Sequence, residues 1–121
     1  MIKKDFKVNT EYDRALDIYT ITVDDDFEFK KSLEIEDGVI LDFDKDNIPI
    51  SIEILDISRR LSIKKHDVAS SNIAMKIICT GELLEISIVF FYKIHDEEFE
   101  KTIDSKLVNN FNLPQMELAT V

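Results

Sequence analysis

The residues best placed to do chemistry in this chain are oxygen donors at regular spacing: Asp42, Asp44 and Asp46, then Asn47, with Glu53 further on. Spaced in this way, they match the first, third, fifth and last ligand positions of a calcium loop, where six or more oxygens converge on one hard cation. Two features oppose that reading. Such a loop needs glycine at its sharp turn, and Asn47 stands there instead. Its flanks should be helices, whereas here they alternate as strands, and a strand would carry Glu53 along a sheet and away from the turn. The reading adopted is a hydrated acidic turn, with a metal-assisted hydrolase using Asp42, Asp44 or Glu53 as the enzymatic alternative. Asp24-Asp25-Asp26 is read the same way, as a solvated turn rather than a weak cation site.

The remaining candidates are single residues or a short patch. His66 and His95 fall in expected loops, and neither has a His or Cys partner at ligand spacing, so zinc has no support. His95 beside Asp96 has the makings of an oriented general base, but a histidine in a surface turn is the simpler reading. Cys79 follows Ile77 and Ile78 and reads as an inert core thiol, since a nucleophile would need a nearby base and some exposure. Arg59, Arg60, Lys64 and Lys65 form the one basic cluster and could touch phosphate. No aromatic stacking residue or recognition helix accompanies them, so the preferred reading is a linker whose cations pair with the chain's own carboxylates. A nucleic-acid-associated regulator using this connector is the second alternative. The chain has no nucleophile elbow, phosphate-binding loop or dinucleotide fingerprint. Accordingly no catalytic, cofactor-binding or metal-ligating residue is assigned.

The elements that would position these residues read as strands. Leu41 and Phe43 point one way while Asp42 and Asp44 point the other. Ile48, Ile50, Ile52 and Ile54 share a face opposed by Pro49, Ser51 and Glu53. This period of two marks strands with one face on a core, and Asp44–Asn47 between them carries turn-forming side chains. Gly38 marks the turn entering this hairpin.

Asp37-Gly38-Val39-Ile40-Leu41-Asp42-Phe43-Asp44, followed by Ile52-Glu53-Ile54-Leu55-Asp56-Ile57-Ser58, resembles the signature of the family catalogued as domain of unknown function 2283. Tyr12-Asp13, Asp17 and Tyr19 resemble that family's opening strand motif, so the likeness runs from Tyr12 to roughly Leu61. The segment Asn112-Leu113-Pro114 is similar to a longer form of the family in methanogenic archaea. The chain departs from the pattern at Asn47 and Ser51, where the family has or often has glycine, and at Thr20, where it often has an aromatic. Asn47 can still take the left-handed turn conformation. The family has no established activity, so the resemblance implies a fold and no mechanism.

Composition narrows the class. With 121 residues, 45% hydrophobic and 33% charged, the chain is long enough for one core and too apolar for disorder. Only two Gly and two Pro argue against loop-rich architecture, and abundant isoleucine favours strands. A net charge of −10 disfavours nucleic-acid backbones and anionic membranes. One cysteine excludes an internal disulfide, Met1–Asp5 has no apolar run behind it, and no stretch is apolar enough to span a bilayer. The expected compartment is a reducing cytoplasm.

In chain order the expected strands are Phe6–Tyr12, Leu16–Val23, a third over Phe27–Ile35 with Phe27, Phe29, Leu33 and Ile35 alternating, and the two of the hairpin. A basic connector follows over 59–72, with room for a short helix from about Lys65 to Ser71. Ala74–Cys79 is a strand. Leu84 to Ile94 is the longest, with Val89 and Phe91 suggesting cover on both faces near its middle. His95–Glu98 turns it, and Phe99–Ile103 pairs back. Beyond Val108 the pattern fades, as in a final strand or an ordered tail, with fraying expected at the end. Laying Leu16–Leu33 on Leu84–Ile103 gives a faint internal echo. The expected fold is therefore mainly β: antiparallel meander sheets, as a two-layer sandwich or one strongly bent sheet, with little helix. It is expected to be one domain, made of a meander (1–58), the connector (59–72) and a second half (73–121). The expected role is a small non-catalytic binding or oligomerisation module acting through sheet edges, with no cofactor, small-molecule ligand or membrane partner.

Overall fold

The computed structural model describes residues 1–121. As the alternation predicts, the chain is 61% strand and 8% helix, in two sheets that do not close into a barrel. The elements are β1 (Ile2–Phe6), β2 (Val8–Asp13), β3 (Ile18–Val23), β4 (Phe29–Glu36), β5 (Val39–Asp44), β6 (Pro49–Ile54), α1 (Ile57–Leu61), α2 (Lys65–Ala69), β7 (Asn72–Cys79), β8 (Leu83–Ile94), β9 (Glu97–Val108) and β10 (Met116–Thr120). The first sheet runs β2-β3-β6-β5-β4 and the second β1-β10-β7-β8-β9. Their inner faces share one hydrophobic cluster running from Tyr19 to Leu118 in sequence. Tyr19 of the first sheet meets Phe90 of the second edge-on, ring centroids 5.1 Å apart. Each fully buried Ile, Leu or Phe in this layer contributes about 1.5–3 kcal/mol of transfer free energy.

Neither sheet is a simple meander. In the first, β4, β5 and β6 form consecutive hairpins, but β3 lies beside β6, a Greek-key order. The chain must therefore cross the ends of β6 and β5 between Val23 and Phe29, a span of roughly 14 Å that five extended residues can bridge. Asp24-Asp25-Asp26 lies in this crossing rather than in a hairpin turn. The second sheet is mixed: β1 pairs with β10 in parallel, while the remaining pairs are antiparallel.

Several boundaries differ from the sequence expectation, each for a physical reason. The expected strand over Phe6–Tyr12 is two strands in different sheets. Phe6, Val8 and Tyr12 all pack on the core, so the alternation continues although the pairing partner changes at Lys7. In β4, Leu33 and Ile35 point inward but Phe29 is exposed, because the register shifts between Phe29 and Lys31, and Phe27 is exposed in the crossing that precedes the strand. Along the isoleucine comb Ile48 is half-buried against the core, while Ile50, Ile52 and Ile54 are buried. Ser51 faces Asp42 while Pro49 faces Phe43, so Ile50 is an extra, bulged residue and both Pro49 and Ile50 are buried. Pro49 opens the strand, where its missing N–H does no harm.

The connector was expected to start at Arg59, but that boundary cuts through α1. Ile57 and Leu61, four residues apart, bury one face of this single turn. The second short helix, Lys65–Ala69, falls where expected. On β8 the even residues Leu84 to Tyr92 are buried, whereas Phe91 is exposed and Val89 only half-buried, so nothing covers the outer face. β9 runs to Val108, well past Ile103. Of the two readings for the segment beyond Val108 the final strand holds: it is β10, an interior strand with Met116 and Leu118 fully buried. The internal echo fails on topology: β8 and β9 are paired neighbours, while β3 and β4 are separated by two strands.

Candidate functional site

At the tip of the β5–β6 hairpin the acidic residues hold the turn together. The Asp44 carboxylate accepts hydrogen bonds from the backbone N–H of Asp46 (2.8 Å) and of Ile48 (3.0 Å). Asn47 takes the left-handed conformation, φ 61°, and its side-chain oxygen accepts from Lys30 Nζ at 3.2 Å. Asp42 accepts from Ser32 Oγ across the β4–β5 ladder at 2.5 Å. Glu53 lies elsewhere, opposite Thr20 on β3 and Ile40 on β5. The oxygens that match calcium-loop spacing in sequence thus do not converge in space. No group of three or more His, Cys, Asp or Glu side chains is arranged to hold a metal ion. Asp24, Asp25 and Asp26 are exposed, and the crossing they belong to ends against the hairpin tip, where Lys45 N–H donates to the Glu28 carbonyl at 3.1 Å.

Two of the four cations of the connector, Arg60 and Lys65, are spent on backbone carbonyls. Arg60 donates from Nε to Leu55 O at 2.9 Å and from its terminal nitrogen to Asp37 O. Lys65 Nζ donates to Arg14 O at 2.7 Å. Arg59 pairs with Asp56 at 3.1 Å on the open surface. Gly38 belongs to the same arrangement: its φ is +80°, and a Cβ there would collide with the Arg60 guanidinium. The sequence reading expected carboxylate partners for all four cations, and only Arg59 has one within salt-bridge distance.

The best-defined polar centre is one that residue-type reasoning did not single out as chemistry. The Asp17 carboxylate is buried and accepts from Tyr12 Oη (2.6 Å), Ser58 Oγ (2.6 Å) and Ser58 N (3.2 Å). Its own carbonyl accepts from Ile57 N at 3.1 Å. Burial by itself would raise the Asp17 pKa, but the Ser58 and Tyr12 hydrogen bonds and the Lys65 charge outweigh it and hold it below the usual value. Burial, the Asp17 hydrogen bond and the Asp17 charge all push the Tyr12 phenol well above its ordinary range. The consequence is a carboxylate permanently charged and a phenol permanently protonated at neutral pH. Such a pair fastens the β2–β3 turn to the start of α1. The signal was present: Tyr12, Asp17 and Ser58 are all motif positions of the family likeness.

The remaining candidates sit apart from one another. His66 is exposed on α2. His95 and Asp96 alone form the two-residue turn between β8 and β9, with φ of 51° and 66°, the mirror-image geometry that suits a tight hairpin. Cys79 is buried, and burial raises its thiol pKa, which disfavours a thiolate nucleophile. The β8–β9 hairpin carries the exposed apolar residues of this end of the molecule: Phe91, Ile94 and Phe99 are each about two-fifths exposed, and Phe99 stacks on Tyr92 at 5.7 Å. β9 itself is an edge strand, paired only with β8 and in unbroken register over all of Glu97–Val108.

These features define a mainly-β, two-sheet protein whose most organised polar cluster is a fastening between elements. Residues 9–58, under half of the chain, match the family described as Protein of unknown function (DUF2283), and the chain resembles that family over this span. The match takes in nearly all of the β2–β6 sheet and ends at Ser58, the residue that closes the Asp17 fastening. No curated protein and no solved structure matches the chain.

Proposed function

We propose that the chain is a non-catalytic association module working through a sheet edge, and that the edge is β9. The observation that supports this is the contrast between β9 and the other three edges. β1 and β2 are five and six residues long. β4 is interrupted by two register shifts, which twist an edge away from incoming strands. β9 has twelve residues, no bulge and no proline, and its outer N–H and C=O groups are free to template another strand. No helix of the chain is long and apolar enough to cross a membrane. The buried free thiol of Cys79 fits a reducing compartment such as the cytoplasm.

Light scattering over a concentration series, alongside recovery of partners from the native host, tests the proposal. Prolines placed in turn at Glu100, Lys101 and Thr102 will include positions whose N–H faces outward, where the fold survives but the edge is blocked. The expected result is a mass above 14.1 kDa, or a bound partner, that a fold-preserving proline removes. A mass of 14.1 kDa at every concentration, with no partner lost on proline substitution, refutes it.

A further inference from the structure

The partner that fits β9 is a second copy of this chain, and we infer that two copies pair β9 with β9 in antiparallel register about a two-fold axis at Ile103. The two five-stranded sheets then become one of ten strands. The inference rests on the edge-association reading above and adds both the identity of the partner and the residue register.

The warrant is the order of side chains along β9. A two-fold axis perpendicular to a sheet sets residues opposite one another on the same face, so each choice of axis residue dictates every pair. With Ile103 on the axis, Thr102 faces Asp104, Lys101 faces Ser105, Glu100 faces Lys106 and Phe99 faces Leu107, each pair occurring twice by symmetry. On the inner face Ile103 meets its symmetry mate between the two Phe99–Leu107 contacts. On the outer face the two Glu100–Lys106 pairs are opposite charges in direct cross-strand position. Lys106 already reaches Glu85 on β8 at 3.3 Å, so it would stand in a row of three strands between two carboxylates.

Neighbouring registers fail on charge or on length. An axis at Lys101 sets the two lysines against each other, and one at Asp104 does the same with the two aspartates. An axis at Thr102 sets Glu100 against Asp104 twice. Like charges directly opposite destabilise a pair of strands. An axis at Ser105 joins Asp104 to Lys106 but shortens the ladder to Thr102–Val108. Only the Ile103 axis keeps the ladder from Glu98 to Val108 with opposite charges matched.

Cysteine scanning reads the register directly. A cysteine on the axis faces its own copy at roughly 4.5–5.5 Å between Cα atoms, inside the range a disulfide spans. Native Cys79 is buried and does not compete. Under mild oxidation Ile103→Cys is expected to give a covalent dimer on non-reducing gels, while Thr102→Cys and Ser105→Cys stay monomeric on the same gels. By light scattering Glu100→Lys is expected to weaken the dimer about tenfold or more, and Glu100→Lys combined with Lys106→Glu to return most of that loss. Cross-linking at Thr102 or Ser105 in place of Ile103 overturns the register while leaving edge association standing. A dimer by light scattering that no β9 cysteine cross-links and Glu100→Lys leaves untouched overturns β9 as the contact. A folded chain that is monomeric throughout overturns the self-pairing itself, and partner recovery then judges the broader reading separately.

Discussion

Replacing Asp17 by asparagine tests the claim that the family-like motif is a fastening. Asparagine keeps the shape and tolerates the φ of 57° found there, so the backbone is not at issue. It removes the charge and turns an N–H₂ group toward one of the donors, Tyr12 Oη or the Ser58 hydroxyl and amide. Hydrogen bonds to a charged group contribute about 1.5–3 kcal/mol each, and a buried donor left without an acceptor costs a similar amount. A loss of about 2–3 kcal/mol is expected. With a urea dependence of about 1–3 kcal/mol per molar, the unfolding midpoint should fall by roughly 1–2 M at pH 7. The pH dependence sharpens the test. The Asp17 pKa is lower folded than its ordinary 3.8, so its contribution is full above that value and fades as pH falls through the folded pKa. The gap between wild type and variant should therefore close in acid, where protonated Asp17 and asparagine become near equivalents. An unchanged midpoint at pH 7, or a gap of constant size down to pH 2, would refute the fastening.

Four further outcomes follow from the same geometry. Gly38→Ala should lower stability by about 1–3 kcal/mol in denaturant titration, since it forces an L residue to φ +80° and pushes on Arg60. Asp96→Gly should raise it by about 0.5–1 kcal/mol, because glycine takes the left-handed turn position without strain, as a thermal melt would show. Tyr12 should ionise above the range of a free phenol. Its folded pKa is raised, so its stabilising effect is whole below pH 10 and is lost as pH rises beyond that, visible as alkaline unfolding that Tyr12→Phe removes. Cys79 should resist a thiol reagent in the native protein and react at the rate of global opening, which added urea accelerates.

The strands that line the core were legible because each has one wet and one dry face. Leu41, Phe43, Ile52 and Ile54 announce theirs by alternation alone, and the β8 comb from Leu84 to Tyr92 does so at twice the length. What alternation does not encode is the partner. Phe6 and Val8 keep their period across Lys7 while the chain changes sheets, and β10 looks like a tail because its neighbours β1 and β7 lie far away in sequence. A single helical turn such as α1 offers only the pair Ile57 and Leu61, too short a repeat to outweigh the strand preceding it. The acidic turn matches calcium-loop spacing for a related reason. Asp44 and Asn47 are selected by backbone geometry, and the same residue types serve cations elsewhere. Asp17 and Ser58 stand out in the sequence only as motif positions, and their contact shows only once the fold brings residues 41 apart together.

The parallel pairing of β1 with β10 has a bearing on how the molecule comes into being. As the chain leaves the ribosome, the β2–β6 sheet is complete once Ile54 has emerged, while the strand made before it has no mate until Met116–Thr120 appears. Closing so large a loop is entropically uphill, so the β1–β10 pair is expected to form after the locally connected β7, β8 and β9. Until then the edges of β1 and β7 that β10 will fill are unpaired, and on β1 the charges of Lys3, Lys4 and Asp5 oppose pairing with a stray strand.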